Sequence, residues 1–224
     1  MTTFVGSRDD TDDTDDDIVQ LMMRANAIDD HIKSLEIDDA IMFIDPSKTY
    51  RLKCQKATSL ADQYKVAIFS LFTNNMKDMY EQTWGWNKDE KLRELFSPTS
   101  NFLMIVDDND EGDDTIVAFA MFRFEWDDED EPEYPVLYCY ELQTSNQFQG
   151  KGIGKHLMKL LARFQEACSM RKVMLTCFKI NTNAMNFYLK NGFHIDENSP
   201  SKFGDTDCHY EILSNEKPKK SRRR

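Results

Sequence analysis

The sequence predicts an α+β protein built on one mixed sheet, with a helix added on its N-terminal side. Three observations carry that reading. Apolar residues recur at helical spacing in two early stretches. Three later stretches have strand patterning and are joined by acidic turns, which makes an antiparallel meander. A glycine-rich stretch then leads from the third strand into a helix and on to a further strand, a βαβ unit.

Taken in order, Ile18, Leu21, Met22, Ala25, Ile28, Ile32 and Leu35 form an apolar stripe over 18–36, with Asp17 placed to cap it. Pro46 follows, and 49–57 reads as the first strand. Residues 60–82 read as a second helix, with Leu60, Tyr64, Ala67, Ile68, Leu71, Phe72 and Met79 on one face. The meander strands are 101–106, 115–126 and 136–143, separated by the acidic stretches "DDNDEGDD" and "DDEDEPEYP". The helix after the glycines carries Leu157, Leu160, Leu161, Phe164 and Cys168 at helical spacing. Residues 172–178 read as a strand, "NTNAMNFYLKN" as a short helix stopped by Gly192, and 207–214 as a last strand. The organisation expected is an acidic disordered tail (1–17), a helical strap (18–45), the main domain (46–216) and a basic tail (217–224).

A chain of 224 residues with 40% hydrophobic content has enough material for one real core. No apolar run is long enough to span a membrane, and residues 1–17 lack a signal-peptide core, so neither a membrane partner nor secretion is expected. The five cysteines (Cys54, Cys139, Cys168, Cys177, Cys208) are scattered and form no CxxC, which favours free thiols over disulfides or a metal site. Net charge is −12. Residues 1–17 carry seven Asp against Arg8, and 217–224 carry six basic residues, so the two tails cancel and the 199 residues between them hold the whole −12. Such a body repels nucleic acid and attracts cationic partners. Solubility alone is the plainer explanation, and the basic tail is either a nuclear-import patch or a solvated end.

Three of only eight glycines (Gly150, Gly152, Gly154) fall in "QGKGIGKHL", interleaved with Lys151 and Lys155. Glycine lets a backbone turn sharply and approach a ligand, and the first turn of a helix leaves N–H groups unpaired and partly positive. The pattern is that of a cradle for a pyrophosphate. A dinucleotide fingerprint fails, because Lys155 or Leu157 stands where its third glycine belongs. A P-loop fails too, because His156 follows Lys155 and Gln149 takes the leading position.

The pattern Q-x-x-G-x-G at Gln149, Gly152 and Gly154 resembles the pyrophosphate loop of the GNAT N-acetyltransferases. The strand "VLYCYELQ" upstream and "NTNAMNFYLKNGF" downstream match neighbouring segments of that family. The resemblance spans roughly Tyr50 to Leu213. It implies the acyl-CoA N-acyltransferase fold, acetyl-CoA as co-substrate and direct transfer to an amine without a metal. It assigns cofactor contacts to Leu142, Gln143, Thr144, Gln149, Gly150, Lys151, Gly152, Ile153, Gly154, Lys155 and Asn181. It makes Glu141 the general base beside Tyr140, with the Leu142 N–H as oxyanion donor. Neighbours on a regular strand face opposite ways, so this requires the bulge that the family carries here. Tyr188 takes either the general-acid position or a packing role, and Cys139 offers a covalent route as a rival.

"MYEQTWGW", "FRFEW", "KVMLTCFKIN" and "CHYEILS" are similar to the N-α-acetyltransferase D branch of the family, which acetylates the N-termini of histone four and histone two-A. Glu125 stands where that branch usually has Asp. The similarity implies substrate contacts at Tyr80, Trp84, Glu125, Trp126, Asp127, Tyr140, Thr176 and Tyr210. Basic histone tails beginning Ser-Gly-Arg-Gly are then the partner, the chain acts as a monomer, and its place is the nucleus and cytoplasm. Trp86 is either core or wall. The rival readings are acetylation of polyamines or lysine side chains and a non-catalytic tail binder.

Overall fold

The computed structural model describes residues 12–37, 40–41, 44, 48, 50–107, 115–128 and 134–216. Residues 1–11 of the acidic tail, most of both acidic turns and the basic tail lie outside the described residues, as does Pro46.

The N-terminal strap is two helices, not one. Helix α1 (Asp12–Ala27) begins inside the expected tail and takes in Asp17, so Asp17 is not its cap. The chain breaks before α2 (His31–Ser34), because the Asp30 carboxylate accepts from the N–H groups of Ile32 (3.0 Å) and Lys33 (3.1 Å) and caps a new helix. The strap packs on the body through Ala25 and Ile32, and Asn26 donates to the Phe124 carbonyl at 3.2 Å.

The body is one eight-stranded sheet. In chain order the strands are β1 (Ala40–Ile41), β2 (Tyr50–Lys56), β3 (Asn101–Asp107), β4 (Thr115–Trp126), β5 (Pro135–Thr144), β6 (Val173–Phe178), β7 (His194–Ile195) and β8 (Tyr210–Asn215). They lie side by side in the order β1-β2-β3-β4-β5-β6-β8-β7. Every pairing is antiparallel except β5 with β6. That parallel pair needs a crossover, supplied by α5 (Ile153–Ala167). The expected meander is β3-β4-β5. The last strand starts three residues later than expected, and β1 and β7 were not expected.

Two cores cover the two faces of the sheet, which is why all seven residues of β3 are buried. On one face α5 sets Leu157, Leu161 and Phe164 against Leu103, Phe122 and Leu175, with the strap beside them. On the other, α3 (Asp62–Gln82) brings Tyr64, Ile68 and Phe72, and α4 (Lys88–Leu95) brings Leu95, onto Phe102, Met104, Phe119 and Met121. Helix α6 (Thr182–Lys190) ends at Asn191, with Gly192 following at φ 88° as the left-handed stop. All five cysteines are free. Among the described residues no helix is long and apolar enough to cross a membrane.

His31 sits at 1% exposure among the rings of Phe124 (5.1 Å), Phe164 (5.2 Å) and Phe122 (5.8 Å). Burial lowers its pKa from 6.5 to about 4, against the opposing pull of Asp30. The unfolded chain therefore binds the extra proton between these values. The stability this group contributes is complete above pH 6.5 and is lost as pH falls towards 4. Urea melts are expected to lose about 3 kcal/mol over that window through this group alone, a slope that His31→Leu should remove.

Candidate active site

The site begins with one extra residue in β5. Phe122 pairs with Cys139 and Met121 with Glu141, so Tyr140 has no partner across the ladder. A single inserted residue reverses which face later side chains take. Before it, Cys139 points into the α5-side core. After it, Leu142 packs on that side, and Tyr140 and Glu141 both face α3 and α4. The expected bulge is present, and it turns both side chains to one face.

The same strand opens on its other edge. β6 pairs with β5 only from Leu137 to Cys139 and then leaves it. The Ser145 N–H donates to the Val117 carbonyl at 2.9 Å, which fixes the phase of the ladder. By alternation Glu141 and Gln143 bond to β4, while Leu142 and Thr144 turn their N–H and C=O groups away from it. The Thr144 carbonyl accordingly meets Asn75 Nδ2 and Gln149 Nε2, each at 3.2 Å. The Leu142 N–H faces the gap between the strands, as an oxyanion donor must.

A cleft of about 1100 Å³ runs from this gap in both directions. At one end is the glycine stretch. Gly150 (φ 75°) and Gly152 (φ 85°) are left-handed with open space where a Cβ would stand, so conformation demands glycine there. Gly154 is the reverse case: its backbone is not left-handed, but a Cβ would lie a tight 3.3 Å from the Phe187 ring, which would have to shift by a few tenths of an ångström. Helix α5 has no side-chain cap, and its first bond runs from the His156 N–H to the Gly152 carbonyl (3.0 Å). The amides of Ile153, Gly154 and Lys155 precede that bond and have no helical acceptor. These features fit a pyrophosphate, with Lys155 lining the cleft beside them. Lys151, also expected there, instead sets its ammonium 5.0 Å from the Phe148 ring. Two expected cofactor contacts are otherwise engaged. The Gln149 side chain turns back onto Asn146 and Thr144, and the Asn181 Oδ1 caps α6 by accepting from the Ala184 N–H (3.1 Å). Asn181 still lines the cleft.

At the centre is Glu141, 5% exposed. Its Oε1 lies 2.6 Å from Lys91 Nζ, and its Oε2 accepts from Gln143 Nε2 at 2.8 Å. The Gln143 side chain thus braces the carboxylate rather than the cofactor. Burial raises the Glu141 pKa, and Lys91 and Gln143 oppose that rise. Lys91 is equally buried and also meets Glu94 (2.5 Å) and the Tyr80 hydroxyl (2.9 Å). Burial would lower its pKa, but Glu141, Tyr80 and Glu94 outweigh that and raise it, so Lys91 stays charged. Cys139 is 2% exposed, with its thiol pushed well up by burial, which opposes the covalent route. Tyr188 packs on Phe187 and Phe193 and borders the cleft with its phenol pKa raised by burial.

Past Glu141 the cleft is lined by aromatic and acidic residues. Trp84, half exposed, meets Phe178 (4.6 Å), Tyr210 (5.3 Å) and Tyr80 (5.8 Å) edge-on. Opposite, the Tyr140 hydroxyl donates to Glu125 (2.9 Å), with Trp126 and Asp127 beyond it. Thr176 lies against the Tyr138 hydroxyl at 2.5 Å. Trp86 stacks on Phe72, half-buried against the core rather than lining the cleft. The sequence reading missed Lys91, Glu94 and Phe178. Phe178 was findable, since it lies one residue past Cys177 on a named strand. The two charged residues lie on a helix that was not expected at all.

A glycine-lined helix start beside a splayed parallel strand pair, with a carboxylate in the gap, is the layout of an acyltransferase that takes its acyl group from a coenzyme A thioester. Residues 66–193, more than half of the chain, match the Acetyltransferase (GNAT) family, and the chain belongs to that family. It is an acetyltransferase with acetyl-CoA as donor. Among curated proteins it is 24% identical to spermine/spermidine N(1)-acetyltransferase of Bacillus subtilis (strain 168) over 140 residues, 62% of this chain and 86% of that one. Among solved structures, the PaiA N-acetyltransferase of Thermoplasma acidophilum in complex with coenzyme A superposes at TM-score 0.51 and 16% identity, covering 74% of this chain and 99% of that one. Arabidopsis thaliana NAA60 with a bisubstrate analogue gives TM-score 0.55 and 12% identity over 75% and 99%. Both share the fold.

Gly152→Ala is expected to strain the α5 start by about 1–2 kcal/mol, because alanine resists the left-handed conformation. Calorimetry should register weaker CoA binding by this variant. Lys202→Ala, distant from the loop, should bind CoA as the wild type does.

Proposed function

We propose that the chain transfers acetyl to the α-amine of histone tails beginning Ser-Gly-Arg-Gly, those of histone four and histone two-A, as N-α-acetyltransferase D does. The observation that carries this reading is the continuous cleft. It leads from the α5 amides past Glu141 into a chamber with aromatic residues on one side and Glu125 and Asp127 on the other. A peptide entering by its N-terminus puts its first residues against Tyr80, Trp84 and Tyr140. Tyr210, expected as a contact, packs on Trp84 and is not among the residues lining the cleft. An arginine that follows suits planar carboxylates and ring faces. A body charge of −12 supports capture of a basic tail. Action in the nucleus and cytoplasm follows from that substrate, and the monomer remains part of the proposal.

In this mechanism acetyl-CoA supplies a thioester carbonyl. The uncapped start of α5 holds the diphosphate, and the Leu142 N–H faces the oxygen that gains charge. An α-ammonium with pKa near 8 is about one-tenth neutral at pH 7. Glu141 takes the proton, directly or through one water. A lysine or polyamine amine, with pKa near 10.4, is far harder to deprotonate. A carboxylate held by Lys91 is a mild base, and this favours the α-amine. The Bacillus relative keeps the polyamine as the second reading.

With acetyl-CoA, a Ser-Gly-Arg-Gly peptide should release free CoA, while the same peptide with a blocked α-amine, and spermidine, should not. Glu141→Gln should lower the rate by roughly a hundredfold or more. Equal turnover of the blocked peptide would reject α-amine transfer, and a fully active Glu141→Gln would remove Glu141 from the base role.

A further inference from the structure

Lys91 is the cation beside Glu141. With Leu95 it is one of two buried residues on α4, and all three of its ammonium hydrogens have an acceptor, in Glu141, Glu94 and Tyr80. The Phe72 ring lies 4.6 Å below it. A buried carboxylate–ammonium pair gives little net stability compared with an apolar pair of the same volume. Its distinctive effect is on charge.

We infer that Lys91 is the positioning residue of this reaction: fixed on α4, its ammonium holds Glu141 as an ionised carboxylate turned into the cleft. The inference rests on the reading of Glu141 as proton acceptor and adds what keeps that acceptor ready. The groups facing Glu141 are Lys91 and Glu94 from α4, Tyr80 from α3, Cys139 and Gln143 from β5, and Tyr188 from α6. Lys91 is the cation among them. Tyr80, Cys139 and Tyr188 are uncharged at neutral pH, since burial pushes each of them up, and Glu94 adds a second negative charge. Without Lys91, Glu141 faces burial and Glu94 with only Gln143 to hold it ionised.

The proton balance is simple. An N–H bond of the substrate ammonium breaks and an O–H bond forms on Glu141, which later releases the proton to solvent. Lys91 keeps all three of its own hydrogens throughout. Because the Tyr80 hydroxyl accepts one of them, its own hydrogen is free to meet an acceptor in the cleft. Lys91 thereby orients a wall residue as well as the base.

The test is the pH profile. In Lys91→Met the acid limb of kcat/KM should move up by about one pH unit or more, a roughly tenfold loss on that limb. The KM for acetyl-CoA should be unchanged, and Lys91→Arg should bring the limb back towards the wild-type position. A folded Lys91→Met with the wild-type limb would overturn the inference. Carbon NMR of the Glu141 carboxyl, identified by its absence in Glu141→Gln, gives a second reading on the wild type without substrate. Ionisation complete by pH 7 is expected, and a carboxyl still protonated there would also overturn it. This titration stands even if the peptide proves not to be the substrate, so failure of the proposed function and failure of the inference are separate results.

Discussion

The site depends on one unpaired residue. Tyr140 adds a residue to β5 that β4 does not match, and the strand turns over around it. Were Tyr140 paired in regular alternation, Glu141 would share the face of Cys139, towards α5 and away from Lys91. The departure of β6 after Cys139 is the second half of the same arrangement. Together they leave a stretch of β5 with side chains turned to one cavity and alternate backbone groups open to a ligand. The glycine turns and α5 then need only begin where that stretch ends.

Charge is graded along the cleft. Lys155 and the unpaired first-turn amides mark the helix start where a diphosphate is to sit. A buried ammonium and carboxylate face each other in the middle. Carboxylates line the far chamber, in a body that is acidic as a whole. In the proposed reaction an anionic donor and a cationic acceptor approach from opposite ends, each drawn by the charge at its own entrance. Removing Lys91 leaves Glu141 a buried carboxylate without its cation, at a cost of roughly 3–5 kcal/mol, whereas removing Glu141 leaves Lys91 still paired with Glu94. Lys91 therefore serves folding as well as chemistry.

Much of this could be read from the chain. The meander, α3, α5, α6 and the glycine loop were legible because apolar periodicity and glycine placement are local signals. The role of Glu141 came from family resemblance, and the need for a bulge came from strand geometry. Helix α4 was hidden because "KDEKLREL" has six charged residues of eight and no apolar stripe. β1 and β7, two residues each, are too short to leave a pattern. The break in the strap falls at Asp30 with no glycine or proline to mark it. Lys91 was invisible for a deeper reason. A lysine in sequence reads as a solvated charge, and its partner lies 50 positions away. Gln143 and Gln149 likewise look like ligand contacts until the fold supplies Glu141, Asn75 and Thr144 for them to hold.

The most direct test of the account is a crystal structure of the protein with CoA and a Ser-Gly-Arg-Gly peptide. The diphosphate should lie on the first-turn amides of α5. The peptide's terminal nitrogen should sit within about 3 Å of Glu141, or one water from it. A terminal nitrogen placed elsewhere, with Glu141 still closed between Lys91 and Gln143, would contradict it.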